Sequence, residues 1–202
     1  LLLGREEFIE HLKSNPRFRF IKLDLLDRCA LDELFKKEKF DVVFHMAANS
    51  DIQRGGEDHE VDLKLNFLTT FAVLEAMLKS GTRKILFASS SAVFGDSDEL
   101  LSEDRGPLRP VSFYGAGKLA AESYISVFVD NYDFQAWILR FPNVVGERCT
   151  HGVVHDFIKR LKEDPSRLTV LGNGEQTKPY LYVRDLIDAM LLVFDRAEEL
   201  FG

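Results

Sequence analysis

A chain of 202 residues, 46% hydrophobic and 29% charged, carries enough apolar surface for one core of ordinary domain size. Its net charge of −7 argues against non-specific nucleic-acid binding, which needs a basic face, and no apolar run approaches the length of a membrane span. The two cysteines, Cys29 and Cys149, make no disulfide framework and fit a reducing compartment; "LLLGREEFIEHL" is too charged for a signal peptide and lacks an initial Met, which points to a trimmed chain.

Strands and helices are predicted in alternation, with no internal repeat. Glu6 to Lys13 reads as a helix ended by Asn15-Pro16, "RFRFIKLDLL" (Arg17–Leu26) as a strand, and "CALDELFKKEKF" (Cys29–Phe40) as a helix. "DVVFHMAA" (Asp41–Ala48) is a short, almost wholly apolar strand, and "DLKLNFLTTFAVLEAMLKSG" (Asp62–Gly81) a long helix with a glycine C-cap. "RKILFASS" (Arg83–Ser90) and "FQAWILRF" (Phe134–Phe141) are buried-type strands flanking a helix that begins near Phe113. Apolar strands alternating with helices mean a parallel sheet covered on both faces, and four such units are too few to close a barrel. Beyond Asn143 the pattern changes. An amphipathic helix holds Phe157–Leu161, a glycine-punctuated loop runs Gly172–Tyr180, and a strand leads into a helix over Tyr180–Phe194.

Each strand ends in small or polar residues: Asp24; His45 to Asn49; Ser89, Ser90 and Ser91; Arg140 to Asn143. In open α/β sheets a ligand lies at the carboxyl ends of the strands. Next to that edge falls "YGAGK", with Tyr114 and Lys118 four residues apart on one helix face. A surface lysine beside a core tyrosine is the plain reading. The chemical one is a tyrosine whose proton is loosened by a neighbouring cation so that it acts as a base.

Seven segments in order resemble the extended short-chain dehydrogenase/reductase family, in particular its NAD-dependent nucleotide-sugar epimerases of the UDP-glucose 4-epimerase type. They are "LDLLD" at Leu23–Asp27, "VFHMAA" at Val43–Ala48, Asn66 in its helix, "SSSAVFG" at Ser89–Gly95, "YGAGK" at Tyr114–Lys118, "RFPNVVG" at Arg140–Gly146 and "GNGEQTKPYLYVRD" at Gly172–Asp185. The resemblance implies an α/β, Rossmann-type doubly wound parallel sheet. Its NAD-binding domain would cover residues 1–146, with a partial substrate-binding region over 147–202 whose strand and helix return to the core. It further implies a cytoplasmic homodimer acting on a UDP-sugar, with contacts between copies made by the helices holding Asn66–Leu78 and Leu119–Phe128.

The implied catalytic set is Ser90, Tyr114 and Lys118. Ser90 aligns better on Gly95 than Ser89 or Ser91, and the three serines leave that choice open. Asp24 and Leu25 would hold the adenine end of NAD. Met46, Ala47 and Ala48 would pass close under the cofactor, with Ala88, Ser89, Tyr114, Lys118, Phe141 and Pro142 also beside it, and Asn66 would brace the cofactor-side loops. Ser91, Asn143, Val153, Val154, Gln176 and Lys178 join Ser90 as candidate substrate contacts. In the implied reaction Tyr114 takes a sugar hydroxyl proton while hydride passes to NAD+, and hydride returns to the other face of the keto sugar. A tyrosine base near pH 7 needs a pKa depressed by roughly 3 units from about 10. Lys118 is expected to help in that direction, with Gly115, Ala116 and Gly117 keeping the space between them open.

Some family features are absent. A Gly-rich phosphate turn after a first strand is missing, because Gly4 alone cannot supply it, so the N-terminal βαβ start and the C-terminal end are expected to lie outside this chain. Lys178 stands where relatives carry an arginine, keeping charge but losing the bidentate fork. Phe94 replaces a tyrosine as packing. "SSSAVFG" lacks the Asp-Glu pair of sugar 4,6-dehydratases, which argues against dehydration. Cys149, His151 and His155 admit a metal reading, but the segment reads better as a substrate loop, and no metal is expected. His45 reads as structural, and Asp96, Asp98, Glu99, Glu103 and Asp104 as a solvated loop. The competing functions are another nucleotide-sugar reductase or dehydrogenase, and a non-catalytic NAD-binding protein.

Overall fold

The computed structural model describes residues 4–97 and 99–199. It divides into two compact units, one made of Pro142–Leu192 with the N-terminal segment up to Phe20, the other of Ile21–Phe141 with the chain from Val193 onward.

The larger unit starts with α1 (Arg28–Glu38), whose first turn is capped by the Asp27 carboxylate accepting from Ala30 N at 3.1 Å. Strand β1 (Val42–His45) follows, then α2 (Ile52–Glu57) and α3 (His59–Asp62). A π-helical segment, Leu63–Leu68, runs into α4 (Thr69–Ser80), which ends at Gly81 with φ +87°, a left-handed cap that suits glycine. Strand β2 (Lys84–Ser90), α5 (Phe113–Tyr132) and β3 (Gln135–Phe141) complete it. The sheet order is β1-β2-β3, all parallel, with Ser89 opposite Arg140 and Ser90 opposite Phe141. All three carboxyl ends therefore lie along one edge, as an α/β crossover fold requires.

Both faces of β2 are covered, which is why its middle is apolar throughout. Ile85 and Phe87 point into the main core with Leu31, Leu74, Met77 and Ile125. Leu86 turns the other way, into a second cluster with Trp137 and Ala197. Full burial of one such side chain contributes about 1.5–3 kcal/mol, so this sheet-and-helix stack is the stable platform of the chain.

The strand expected at Arg17–Leu26 does not form. Residues 18–24 carry no regular structure, and Asp24 makes a turn in which its Oδ1 accepts from Leu26 N at 3.0 Å. A strand persists only where its backbone groups find a ladder partner, and none lies beside this segment among the described residues. Leu23 and Leu25 still pack on the main core. The single helix expected over Asp62–Gly81 is also divided. Thr69 N bonds Lys64 O across five residues, so the ladder is wider around Asn66. The helix expected at Glu6–Lys13 is a 3₁₀ helix over Glu6–Leu12.

In the other unit, β4 (Asn143–Val145) pairs in parallel with β5 (Tyr180–Tyr182), with α6 (Val153–Glu163) between them in the chain. Val153 and Val154 thus open a helix instead of lying in a loop, because Gly152, at φ +98°, turns the chain just before them. Helix α7 (Val183–Asp195) follows β5 directly.

Candidate active site

The site is built on the start of α5. Ser112 caps it by accepting from Gly115 N at 3.1 Å, which places Tyr114 in the first turn and Lys118 one turn later. The small residues between them do not hold space open. A Cβ on Gly115 would stand 2.6 Å from Ala92 O, and one on Gly117 3.1 Å from Asp62 O and 3.2 Å from Asn66 Cβ. These glycines let α5 close on its neighbours.

Lys118 is 2% exposed, and its Nζ donates to Ala88 O at 2.6 Å while lying 4.8 Å from the centroid of the Phe87 ring. Burial pulls its pKa down to about 8, against the pull of the Glu122 and Asp62 carboxylates. Of Ser89, Ser90 and Ser91, Ser90 is the one that acts on the Tyr114 phenol. Burial pushes the Tyr114 phenol above its ordinary range, the Ser90 hydroxyl opposing and the Asp62 charge adding to the rise. The depression expected from Lys118 is not among the effects on the phenol, which are burial, Ser90 and Asp62. The Lys118 ammonium is engaged by Ala88 O instead.

The three serines of β2 and its end have separate partners. Ser89, 3% exposed, donates its hydroxyl to Glu122 Oε1. Ser90 Oγ accepts from Ala92 N at 3.1 Å and faces Tyr114. Ser91 is half-buried at the start of the short 3₁₀ turn Ser91–Phe94. Ser90 is thus the serine paired with the tyrosine.

Around them lies a buried polar network that the sequence reading grasped only through Asn66. Asn66 Oδ1 accepts from Asn49 N at 2.7 Å, and the side-chain amides of Asn66 and Asn49 both donate to Asp62 Oδ1, at 2.7 and 2.9 Å. This fastens the loop after β1. Asp62 is 1% exposed, its Oδ2 has no hydrogen-bond partner among the described residues, and burial raises its pKa. The signal for Asp62 was its place one turn before Asn66. His45 Nε2 meets Thr70 Oγ1 at 3.0 Å, and burial first, then Lys118, pushes the imidazole down to about 3. It is a neutral structural histidine, as the sequence indicated.

Of the remaining candidates, Met46 and Ala47 are exposed and Ala48 half-buried just beyond β1. Ala88 is buried, and Phe141 ends β3. Asp24 is exposed and Leu25 half-buried. The structure brings together Ser90, Tyr114, Lys118, Ala88 and Ser89. It does not bring Asp24 to the end of a strand. In the other unit, Pro142 is half-buried and Asn143 Nδ2 donates to Pro179 O at 3.2 Å. Gln176 folds back on Gly172, where a Cβ would stand 2.0 Å from Nε2, and Lys178 is exposed. Val154, Cys149, His155 and Arg148 line a cavity of about 210 Å³. Cys149 Sγ donates to His151 O at 3.0 Å, and no three potential ligands converge among the described residues. Phe94 packs under Arg140, 5.0 Å from its guanidinium carbon. Asp96 and Glu99 are exposed, and Asp98 lies outside the described residues.

A parallel sheet covered by helices, with a Ser/Tyr/Lys set at its carboxyl edge, defines an α/β protein of Rossmann type. The chain belongs to the NAD dependent epimerase/dehydratase family, whose model matches residues 3–201. It is 34% identical over 191 residues to a putative UDP-glucose 4-epimerase of Methanocaldococcus jannaschii, covering 92% of this chain and 62% of that protein. A mouse (Mus musculus) dTDP-D-glucose 4,6-dehydratase is 27% identical over 191 residues, covering 94% and 54%. Among solved structures, UDP-glucuronic acid 4-epimerase from Bacillus cereus, in complex with UDP-glucuronic acid and NAD, superposes with a TM-score of 0.87 at 32% identity, covering 96% and 61%. The chain thus spans roughly three fifths of the length of the epimerases it matches.

Proposed function

We propose that the protein epimerises a UDP-sugar at C4 with bound NAD, using Ser90, Tyr114 and Lys118. The observation that carries this is the gathering of Ser90, Tyr114 and the buried Lys118 at the carboxyl edge, with Ser90 acting on the Tyr114 phenol and Lys118 one turn further on. Residues 1–146 then act as the NAD-binding domain and 147–202 as part of the substrate region. The residues fit a dinucleotide. Small or exposed side chains follow β1 at Met46, Ala47 and Ala48, and Asn66 and Asp62 hold that loop's backbone in place. Asp24, Leu25, Ala88, Phe141 and Pro142 complete the contacts. NAD supplies a reversible hydride acceptor when bound.

The chain's own residues handle the proton. Ser90 holds the sugar hydroxyl and Tyr114 Oη takes and returns its proton. Burial holds that phenol protonated, and a positive charge brought beside it by an oxidised cofactor would favour its base form. Lys118 fixes the backbone beneath through Ala88. Asn143, Val153, Val154, Gln176 and Lys178 are proposed on the sugar-nucleotide side, with Lys178 a point charge for phosphate. Epimerisation is favoured over dehydration because Ser91 and Ala92, which follow Ser90, carry no acid or base for an elimination. The same reading makes the protein a cytoplasmic homodimer. The outer face of α5 leaves Tyr124 and Val127 exposed.

The test uses the full-length gene product with UDP-glucose or UDP-galactose and no added reductant. The C4 epimer should appear by proton NMR without net NADH absorbance. Tyr114→Phe should lower turnover by at least about 10²-fold and leave NAD binding nearly intact. Normal turnover in that variant overturns the mechanism, and net NADH accumulation moves the assignment to a dehydrogenase.

A further inference from the structure

We propose that Glu122 is a positioning residue for this site: it clamps β2 and β3 onto α5 beneath the Ser90/Tyr114/Lys118 set and serves as a counter-charge for Lys118. The proposal rests on the functional reading above. Glu122 follows Lys118 by four residues, as Lys118 follows Tyr114, so all three share one face of α5. Glu122 is 5% exposed and both its oxygens are used. Oε1 accepts from the Ser89 hydroxyl and from Arg140 Nε at 3.1 Å, and Oε2 accepts from Arg140 Nη2 at 2.8 Å.

The register gives this meaning. Ser89 and Arg140 are ladder partners on adjacent strands, and the next pair is Ser90 with Phe141. One carboxylate therefore ties two strands to the helix one residue before the reactive edge. Two consecutive residues of β2 just before Ser90 are thereby fixed to α5: Ala88 by Lys118 and Ser89 by Glu122. A buried ion pair is a poor way to gain stability, since apolar residues of like volume do as well or better. What this one supplies is a fixed geometry and a negative charge one helical turn from a buried ammonium.

Among the described residues, the charged or titratable groups facing Lys118 come from three elements. Glu122 lies on α5 itself, Asp62 on α3 and His45 on β1, and Tyr114 lies one turn earlier on α5. His45 is neutral, the Tyr114 phenol is held protonated, and Arg140 is paired with Glu122, on the carboxylate's side turned to the strands. Glu122 and Asp62 remain as the two carboxylates favouring the ammonium, Glu122 the stronger.

Two variants of the full-length protein separate clamp from charge. Arg140→Lys keeps the carboxylate paired but loses the fork. Its kcat should fall roughly 10-fold or more through misplacement of Ser90, with the alkaline limb of the pH–rate profile in place. Glu122→Gln should lower kcat by at least as much and move that limb to lower pH. In the ligand-free protein, the ¹³Cε NMR titration of Lys118, assigned with Lys118→Met, should show its midpoint lowered by Glu122→Gln and unmoved by Arg140→Lys. Unchanged kcat in Arg140→Lys overturns the clamp. An unmoved Lys118 midpoint in Glu122→Gln overturns the counter-charge. If Glu122→Gln does not fold, Ser89→Ala with Arg140→Lys carries the clamp test, and unchanged kcat there is equally fatal. Absence of turnover in the wild type on any UDP-sugar refutes the functional reading instead, and leaves the Lys118 titration standing as its own test.

Discussion

The two units handle charge in opposite ways. In the sheet-and-helix unit, Asp62, Lys118 and Glu122 are 1%, 2% and 5% exposed, each on the helical layer below the carboxyl edge. In the unit built on β4 and β5, Glu147 meets Tyr182 Oη at 3.0 Å and Arg184 Nη2 at 2.9 Å, all at the surface. A surface pair holds solvated groups together at little gain. A buried one must overcome desolvation, so its neighbours have to be arranged around it. Hence the first unit shows pKa values displaced by burial and side-chain amides bonded to a buried carboxylate. A site for proton transfer needs such fixed dipoles and charges, and their energetic cost is carried by the apolar core beneath.

The sharpest way to probe that arrangement is a pair of adjacent glycines in α2. A Cβ on Gly55 would stand 1.8 Å from Asp62 Oδ2, whereas one on Gly56 meets nothing within 4 Å. Gly55→Ala should therefore destabilise by about 1–3 kcal/mol, because the carboxylate held by Asn49 and Asn66 must move. Gly56→Ala should stabilise by about 0.5–1 kcal/mol through helix propensity and reduced unfolded-state freedom. Chemical denaturation of both variants checks the signs. Equal effects would mean that the Asp62 network is not a rigid constraint.

A second, somewhat smaller effect concerns acid. His45 has a folded pKa near 3, below its ordinary 6.5. The unfolded chain therefore binds a proton that the native chain refuses. This contribution to stability is complete above about pH 6.5 and is lost as pH falls from there toward 3. At about 1.4 kcal/mol per unit, urea unfolding at pH 5 against pH 7 should show His45 accounting for up to about 2 kcal/mol of the loss. His45→Gln should flatten that slope. Asp62, raised in the folded state, acts in the opposite sense, so the comparison is of wild type with variant at each pH. A slope unaltered by His45→Gln would show that the imidazole takes up its proton without unfolding.

Much of the platform was readable from the chain alone. The runs Val42–His45, Lys84–Ser90 and Gln135–Phe141 are apolar because both sheet faces are covered, and that pattern is local. Gly81 marked its helix end for a conformational reason that also acts locally. The Tyr114/Lys118 spacing was visible for the same cause. What escaped depends on partners distant in sequence. Arg17–Leu26 has the composition of a strand but no ladder to join among the described residues. The wide turn at Asn66 accompanies bonds to Asn49 and Asp62 that helical periodicity does not encode. Gly115 and Gly117 looked like open space, because only the fold shows what stands opposite them. Glu122 reads as one more helix-surface glutamate until β3 brings Arg140 beside it.

The last contrast is between two glutamates that each hold an arginine. Glu122 is buried, and its loss strands the Arg140 guanidinium in a half-buried site. Glu147 is exposed, and its carboxyl is held below the ordinary range first by a backbone hydrogen bond, then by Tyr182, with Arg184 a lesser cause. Water replaces each of those partners at once. Glu147→Gln should leave the midpoint of thermal unfolding within the scatter of repeated melts, at low salt as at high. Glu122→Gln should shift the same midpoint downward plainly. A clear loss in the Glu147 variant would mean that the β4–β5 pair depends on its surface charges, and that the two units are more alike than their burial indicates.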